Sequence, residues 1–405
     1  MARHGERSEP FFDKGGNEKG MKTNTSKTAS AGSGRMGAPS RRAGKALRRN
    51  ERAERMRDFI ERRMPFEMRE RALRGWARGY KEQLALLLEA FGALRVNGRI
   101  ASFRTRESRG EVLYPAFADL RQLGYKIDNV MCLRTAHVQA LMARWVAEGN
   151  AASTINQRLS VLRIFAGWIG KAGLVPPVAK LGALGFDPSV AGRKSTAQRD
   201  KSWDRPEIDK EAILAAIEGY DLRYGLIFRL CDMFGLRKQE AVRWCPHEHD
   251  WEREIAVLVG AKNGKERRVP FSEPAARALI ERCKAAVEPK DSMSGKALRN
   301  LKQAREHFAY VARRFGVTFS QLGITAHGLR HGFVQRRTEE GTGAPAPVKD
   351  PDAPWPQTPQ AREARRRVME AVGHSRPTVI TGYTGAARRT NRAVLRRSRR
   401  DRDGD

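Results

Sequence analysis

"TAHGLRHGFV", residues 325–334, sets His327, Arg330 and His331 within five consecutive positions. On a helix, positions i, i+3 and i+4 share a face, so two imidazoles and a guanidinium would converge on one spot. Such a surface suits a phosphate. The chain around it has 405 residues, with 78 Lys and Arg against 46 Asp and Glu, a net charge of +32. An enzyme of small neutral metabolites has no need of that surplus. Binding to a polyanion is the natural reading, because basic side chains that neutralise phosphates release condensed counterions. RNA, DNA and anionic membrane all satisfy that much.

The membrane reading weakens along the chain. No apolar run approaches the roughly 20 residues of a membrane span, and the opening residues MARHGERSEPFFDKGG lack the apolar core of a secretory leader. Four scattered cysteines, Cys132, Cys231, Cys245 and Cys283, suggest a reducing cytosol without a disulfide framework. Cys245, His247 and His249 in "WCPHEHD" have ligand chemistry, but no second ligand pair follows at finger-like spacing. A polar loop leading into a strand is the plainer reading, and no metal is expected.

Composition divides the chain further. Residues 1–75 read as a basic N-terminal region: disordered to about residue 45, then a helix-prone basic run interrupted by Pro65. That run is either a DNA-contacting arm or a solvated charged helix. Residues 76–180 read as a helical DNA-binding domain. In "TAHVQALMARWVAEG" the apolar residues Val138, Leu141, Met142, Trp145 and Val146 recur at helical spacing. In "STINQRLSVLRIFAGWIGKAG" the apolar face is Ile155, Leu159, Leu162, Ala166 and Ile169, which leaves Arg158, Arg163 and Lys171 outside, available to DNA. A linker is expected over 181–204 and a second domain over 205–390. Within that domain "IAVLVG" (255–260) and "RRVPF" (267–271) predict a hairpin around Asn263 and Gly264. The Pro-rich stretch 341–359 reads as a mobile inserted loop, and 391–405 as a charged tail.

Four pieces of the second domain combine with one another. They are "FGLRKQEAVRW" with Arg237 and Glu240, "GAKNGKERRVP" with Lys262 and Lys265, the opening quotation, and "VGHSRPTVITGYTG" with His374 and Tyr383. Each alone is unremarkable: an ion pair on a helix, a solvated turn lysine, an incidental tyrosine. The glycines around Lys262 are too close together for a phosphate-binding nucleotide loop, and Glu266 stands where Ser or Thr is needed. Together and in this order they resemble the tyrosine recombinases, the phage integrase family. The family shows Arg in G-L-R-x-x-E, a hairpin Lys, H-x-L-R-H, G-H-S and a Tyr about nine residues later.

The resemblance implies a mainly α fold with a small β-hairpin in the catalytic domain. A helical core-binding domain and an α+β catalytic domain would form a C-shaped clamp on double-stranded DNA. It implies attack by Tyr383 on a DNA phosphodiester, giving a 3′-phosphotyrosyl bond and a free 5′-hydroxyl. A phenol of ordinary pKa is about one part in a thousand ionised at neutrality, so the tyrosine needs a proton acceptor, for which His327 is the candidate. Arg237 and Arg330 would fork onto the non-bridging oxygens, His374 would donate to the phosphate, and Lys262 would protonate the leaving oxygen, with Lys265 as the alternative. His331 and Glu240 take supporting roles. No cofactor is expected.

The family also implies a homotetramer on synapsed DNA and allows a free monomer. Accessory DNA-bending proteins and a cytoplasmic, nucleoid-associated location fit the same picture. The 42 residues between His331 and His374 depart from the family pattern, and the Pro-rich stretch accounts for the excess. Two rivals stand beside a recombinase that integrates or excises a mobile element. One is a type IB topoisomerase-like enzyme, and the other a non-catalytic DNA-binding protein of the same fold.

Overall fold

The computed structural model describes residues 41–94, 100–192, 195–258, 266–295, 300–374 and 376–387. The chain divides into two units: one runs to Gly149 and resumes over Gln157–Gly185, and the other comprises Asn150–Asn156 and everything from Phe186 on.

The first unit is helical. It holds α1 (Arg41–Arg63), α2 (Phe66–Gly75), α3 (Tyr80–Phe91), α4 (Phe103–Gln122), α5 (Thr135–Ala147) and most of α6 (Ala152–Trp168). Pro65 breaks the chain between α1 and α2, as its missing N–H requires. Phe59, Ile60 and Met64 at the end of α1, with Met68 and Ala72 of α2, are buried. These residues therefore belong to the core, and the expected boundary near residue 75 is corrected. An arm free of the domain would leave those five apolar side chains in water.

The predicted apolar face of α6 is buried throughout, as are Val138, Leu141, Met142 and Trp145 of α5, whereas Val146 is exposed. The basic residues expected outside are not free. Arg163 donates to the carbonyls of Val175 and Pro176, at 3.1 and 2.6 Å. Lys171 donates to those of Met131 and Leu133. Arg158 lies over the Trp145 ring at 5.1 Å. Burial lowers the pKa of both Arg163 and Lys171. Arg163 and Lys171 tie loops to helices by satisfying carbonyls that lack a helical partner, which corrects their reading as free outward cations.

The second unit contains α7 (Lys210–Tyr220), α8 (Leu222–Met233), α9 (Lys238–Arg243) and α10 (Pro246–His249). The strands β1 (Glu254–Val257) and β2 (Arg267–Pro270) follow, then α11 (Pro274–Ala285), α12 (Leu301–Arg314), α13 (His327–Thr342), α14 (Pro359–Ala371) and α15 (Thr381–Thr384). The two strands pair antiparallel, with Ile255 opposite Val269. Tyr224, Leu226, Ile227, Phe228, Leu230 and Cys231 bury α8 on nearly every side, which makes it the central helix.

The segment read as a linker is not loose. Leu181 and Leu184 are buried, and so are Ser202 and Trp203. Trp203 donates from its indole to the carbonyl of Thr325 at 2.9 Å, just ahead of α13. Arg336 of α13 pairs with Asp204 and Asp232, and Lys210 reaches both carboxylates. One buried indole and one charge cluster thus outweigh the Gly/Ser-rich composition.

Gly328 makes this crossing possible. A Cβ there would lie 2.3 Å from the Lys201 carbonyl oxygen and 2.8 Å from the Trp203 ring. Gly328→Ala should lower the thermal unfolding midpoint, by an amount equivalent to about 1–3 kcal/mol for an overpacked core. An unchanged midpoint would mean that the segment over α13 yields freely.

Candidate active site

Tyr383 occupies the single turn α15, its ring buried. Arg330 donates from Nε to the tyrosine hydroxyl at 3.2 Å, and Nε2 of His374 lies 3.0 Å from the same oxygen. Arg330 is wholly buried, and its two Nη groups donate to the carbonyls of Gly235 and Val372. Burial pushes its pKa down to about 10, so the charge persists at neutrality.

Arg237 stands at the start of α9. Its N–H donates to Glu240 Oε2 and its Nη1 to Glu240 Oε1, both at 2.7 Å. Glu240 therefore caps the helix and holds the guanidinium at once. Arg237 Nη2 reaches the Val372 carbonyl at 3.2 Å and comes within 3.5 Å of His374 Nε2. The carbonyl of Val372 thus anchors both arginines, at the turn before His374.

A third arginine enters from the hairpin. Arg267 of β2 grips Glu240 with both Nη groups, at 2.9 and 2.6 Å, and donates from Nε to the Ala371 carbonyl at 2.7 Å. Burial alone would raise the Glu240 carboxyl, but the hydrogen bonds and charge of Arg267, then the charge of Arg237, outweigh it and hold the pKa below the usual range. Three guanidiniums thus surround one carboxylate, Arg330 at 3.9 Å from it. The cluster is left in want of an anion.

The two histidines of the opening stretch differ. His331 is buried, its ring centroid 4.8 Å from that of Tyr383, and its Nδ1 has no hydrogen-bond partner among the described residues. Burial, then the neighbouring His327 and Lys201, lowers its pKa to about 3. His327 is open to solvent on one side, yet atoms packed beneath it, then Arg330 and Arg237, push its pKa down to about 4. The imidazole is therefore neutral at pH 7. The His327 and Tyr383 ring centroids are 6.2 Å apart. The imidazole in contact with the phenol oxygen is that of His374, not the His327 expected from sequence.

Lys262 and Lys265 lie outside the described residues. Around Cys245 the gathering differs from the sequence reading: Cys245, Glu248 and His249 bring ligand-type atoms within 4.8 Å, while His247 turns to the carbonyls of Lys284 and Val287. Arg277 and Lys284 are both paired with the adjacent Asp250.

Sequence reasoning missed Arg267 and Gln335. Strand alternation puts Arg267 on the buried face beside Val269 and leaves Arg268 outside, a signal that was present. Gln335, fully buried on α13, bonds the Tyr383 carbonyl at 3.0 Å and Asp200 at 2.9 Å; it lies just beyond the motif, and no local pattern marks it.

Comparison with known proteins places this arrangement. Residues 195–336 match the family described as Integrase, and residues 92–175 the one described as Phage integrase, N-terminal. Tyrosine recombinase XerC of Mycobacterium sp. (strain JLS) is 27% identical over 293 residues, covering 69% of this chain and 86% of that protein. Tyrosine recombinase XerA of Thermococcus onnurineus is 32% identical over 190 residues, 45% of this chain; the match spans only 57% of XerA. A lambda integrase (75–356) dimer bound to a COC′ core site shares the fold at a TM-score of 0.50, with 16% identity over 77% of this chain and 97% of that one. The family matches and the recombinase relatives show an integrase-type tyrosine recombinase. The chain belongs to the phage integrase family of tyrosine recombinases.

His331 gives a test of this electrostatic picture. Its folded pKa lies below the unfolded value of about 6.5, so its contribution to stability is complete above that pH and is lost as the pH falls towards 3. Unfolding midpoints measured between pH 7 and pH 3 should decline, and His331→Gln should flatten part of that decline. Parallel curves for the two proteins would contradict the assignment.

Proposed function

We propose that the chain cuts and rejoins double-stranded DNA at specific sites through a 3′-phosphotyrosine intermediate, in the integration or excision of a mobile element. The observation that carries this is the hydroxyl of Tyr383, within 3.2 Å of Arg330 Nε and 3.0 Å of His374 Nε2. Arg330 lies 53 residues from Tyr383 in the sequence and His374 nine.

The chemistry follows from the residue types. Tyr383 Oη attacks phosphorus, the P–O bond to the 5′-oxygen breaks, and the new ester joins the tyrosine to the 3′-phosphate. Charge gathers on the non-bridging oxygens, where Arg330 and Arg237 supply forked donors; preorganised donors of this kind contribute about 3 kcal/mol or more each. Arg330 can only donate, so with neutral His374 protonated on Nδ1, its Nε2 accepts the phenol proton. His327, neutral at pH 7, is the second acceptor within reach of the site. Having taken the phenol proton, His374 then donates from Nε2 to a non-bridging oxygen of the new phosphodiester. Lys262 protonates the 5′-oxygen, with Lys265 as the alternative. Each step exchanges one phosphoester for another, so no nucleotide energy source is needed.

Exchange of four strands requires four tyrosines. With one nucleophilic tyrosine, Tyr383, per chain, a homotetramer on synapsed DNA is the matching assembly, acting at the nucleoid and assisted by DNA-bending proteins. Among the described residues no helix is long and apolar enough to cross a membrane.

Purified protein incubated with labelled, nicked duplexes from the DNA flanking its own gene should yield a covalent adduct that survives SDS and forms in EDTA. Tyr383→Phe should abolish the adduct while DNA affinity stays within about two-fold. Tight binding without an adduct on any nicked duplex would replace the enzyme with a DNA-binding protein. Adducts scattered over unrelated sequences would indicate topoisomerase-like behaviour.

A further inference from the structure

We propose that the Pro-rich segment between α13 and α14 is a brace that positions the tyrosine helix, through the backbone N–H of Val348; the inference rests on Tyr383 being the nucleophile. The helix it holds is a single turn, Thr381–Thr384. It continues a 3-10 turn over Pro377–Ile380, and two such short turns fix many dihedral angles for few hydrogen bonds and do not persist alone. Its terminal carbonyls also have no continuing helix to bond them.

Three other segments satisfy those carbonyls. Ala197 donates its N–H to the Thr381 carbonyl at 2.9 Å, and Gln335 donates its side-chain amide to that of Tyr383 at 3.0 Å. The N–H of Val348 donates to the carbonyl of Thr384 at 2.7 Å. Val348 also packs on Gly385, whose φ is +75° and where an added Cβ would lie 3.1 Å from Val348 Cβ and N. The Val348 contact holds the end of the turn immediately after the tyrosine.

The segment is fastened at both ends, which corrects its reading as a mobile loop. Ala346 is fully buried and donates its N–H to Glu339 Oε1 at 3.1 Å; Lys349 Nζ reaches the same oxygen at 3.0 Å. The Lys349 N–H closes a turn on the Ala346 carbonyl at 2.8 Å, placing Val348 inside it. At the far end Arg365 of α14 donates to the Pro356 carbonyl at 2.8 Å and lies over the Trp355 ring at 5.0 Å. The segment thus carries the position of α13 and α14 to the turn bearing Tyr383. Val348 touches the backbone of Thr384, one residue past the nucleophile, and Gln335 that of Tyr383; both are positioning residues, in contact with no reacting atom.

The test measures adduct formation on a nicked duplex that the wild-type chain attacks, at saturating DNA, beside the Kd and the unfolding midpoint. Val348→Pro removes the N–H, whereas Val348→Ala keeps it. The brace predicts a first-order rate lower by roughly ten-fold or more for Val348→Pro, the scale of a small misplacement of a reacting group. Kd should be unchanged and Val348→Ala close to wild type. A wild-type rate for a folded Val348→Pro would overturn the brace, as would equal losses in both variants that track only the unfolding midpoint. If Val348→Pro does not fold, Glu339→Ala decides: it frees Ala346 and Lys349, and the brace predicts a several-fold slower rate at unchanged Kd. An unaltered rate there overturns the proposal. Absence of any wild-type adduct would instead remove the recombinase reading itself.

Discussion

The buried carboxylate of Glu240 is the interaction on which the site depends. It accepts four hydrogen bonds, two from Arg237 and two from Arg267. Through them it joins the start of α9 to β2. Arg267 extends the connection to the end of α14 by way of Ala371, at the turn that leads to His374. Removing one partner of such a buried ionic group leaves the other uncompensated, a cost of about 3–5 kcal/mol in comparable cases. The cluster still carries more positive than negative charge, since Arg330 adds a third guanidinium. In the proposed reaction a scissile phosphate would supply the missing anion. The same arrangement therefore explains both why the arginines are held and why they remain able to act.

The glycine of the G-H-S motif has a place in this arrangement. Gly373 has φ of +71°, and an added Cβ would lie 3.2 Å from Arg267 Cδ. The backbone must pass beside two guanidinium side chains to present His374. A motif that reads as three letters in sequence is thus the packing requirement of a charge cluster.

The constellation around Tyr383 was legible because its spacing reflects local geometry: i, i+3, i+4 on α13, and a capped turn at Arg237. The hairpin and the main helices were legible from periodicity for the same reason. What escaped depends on contacts between distant segments. Arg267 is one among many basic residues and is marked only by strand alternation. Arg163 and Lys171 were placed outside because basic residues usually are, yet each satisfies two carbonyls of other segments. The stretch around Trp203 and the Pro-rich segment have loop composition, but single anchors, an indole on Thr325 and an N–H on Thr384, fix them. The choice of His374 over His327 as the tyrosine's partner was likewise a matter of tertiary distance.

The central claim is that one chain brings its own tyrosine to its own arginines. The most direct measurement mixes two variants on the nicked duplex: Tyr383→Phe, which keeps the phosphate-binding groups, and Arg237→Ala, which keeps the tyrosine. Both must first be shown to bind the DNA. Assembly within one chain predicts no covalent adduct from either variant or from the mixture. An adduct that appears only in the mixture would mean that the tyrosine acts on a phosphate held by another copy, contradicting the account.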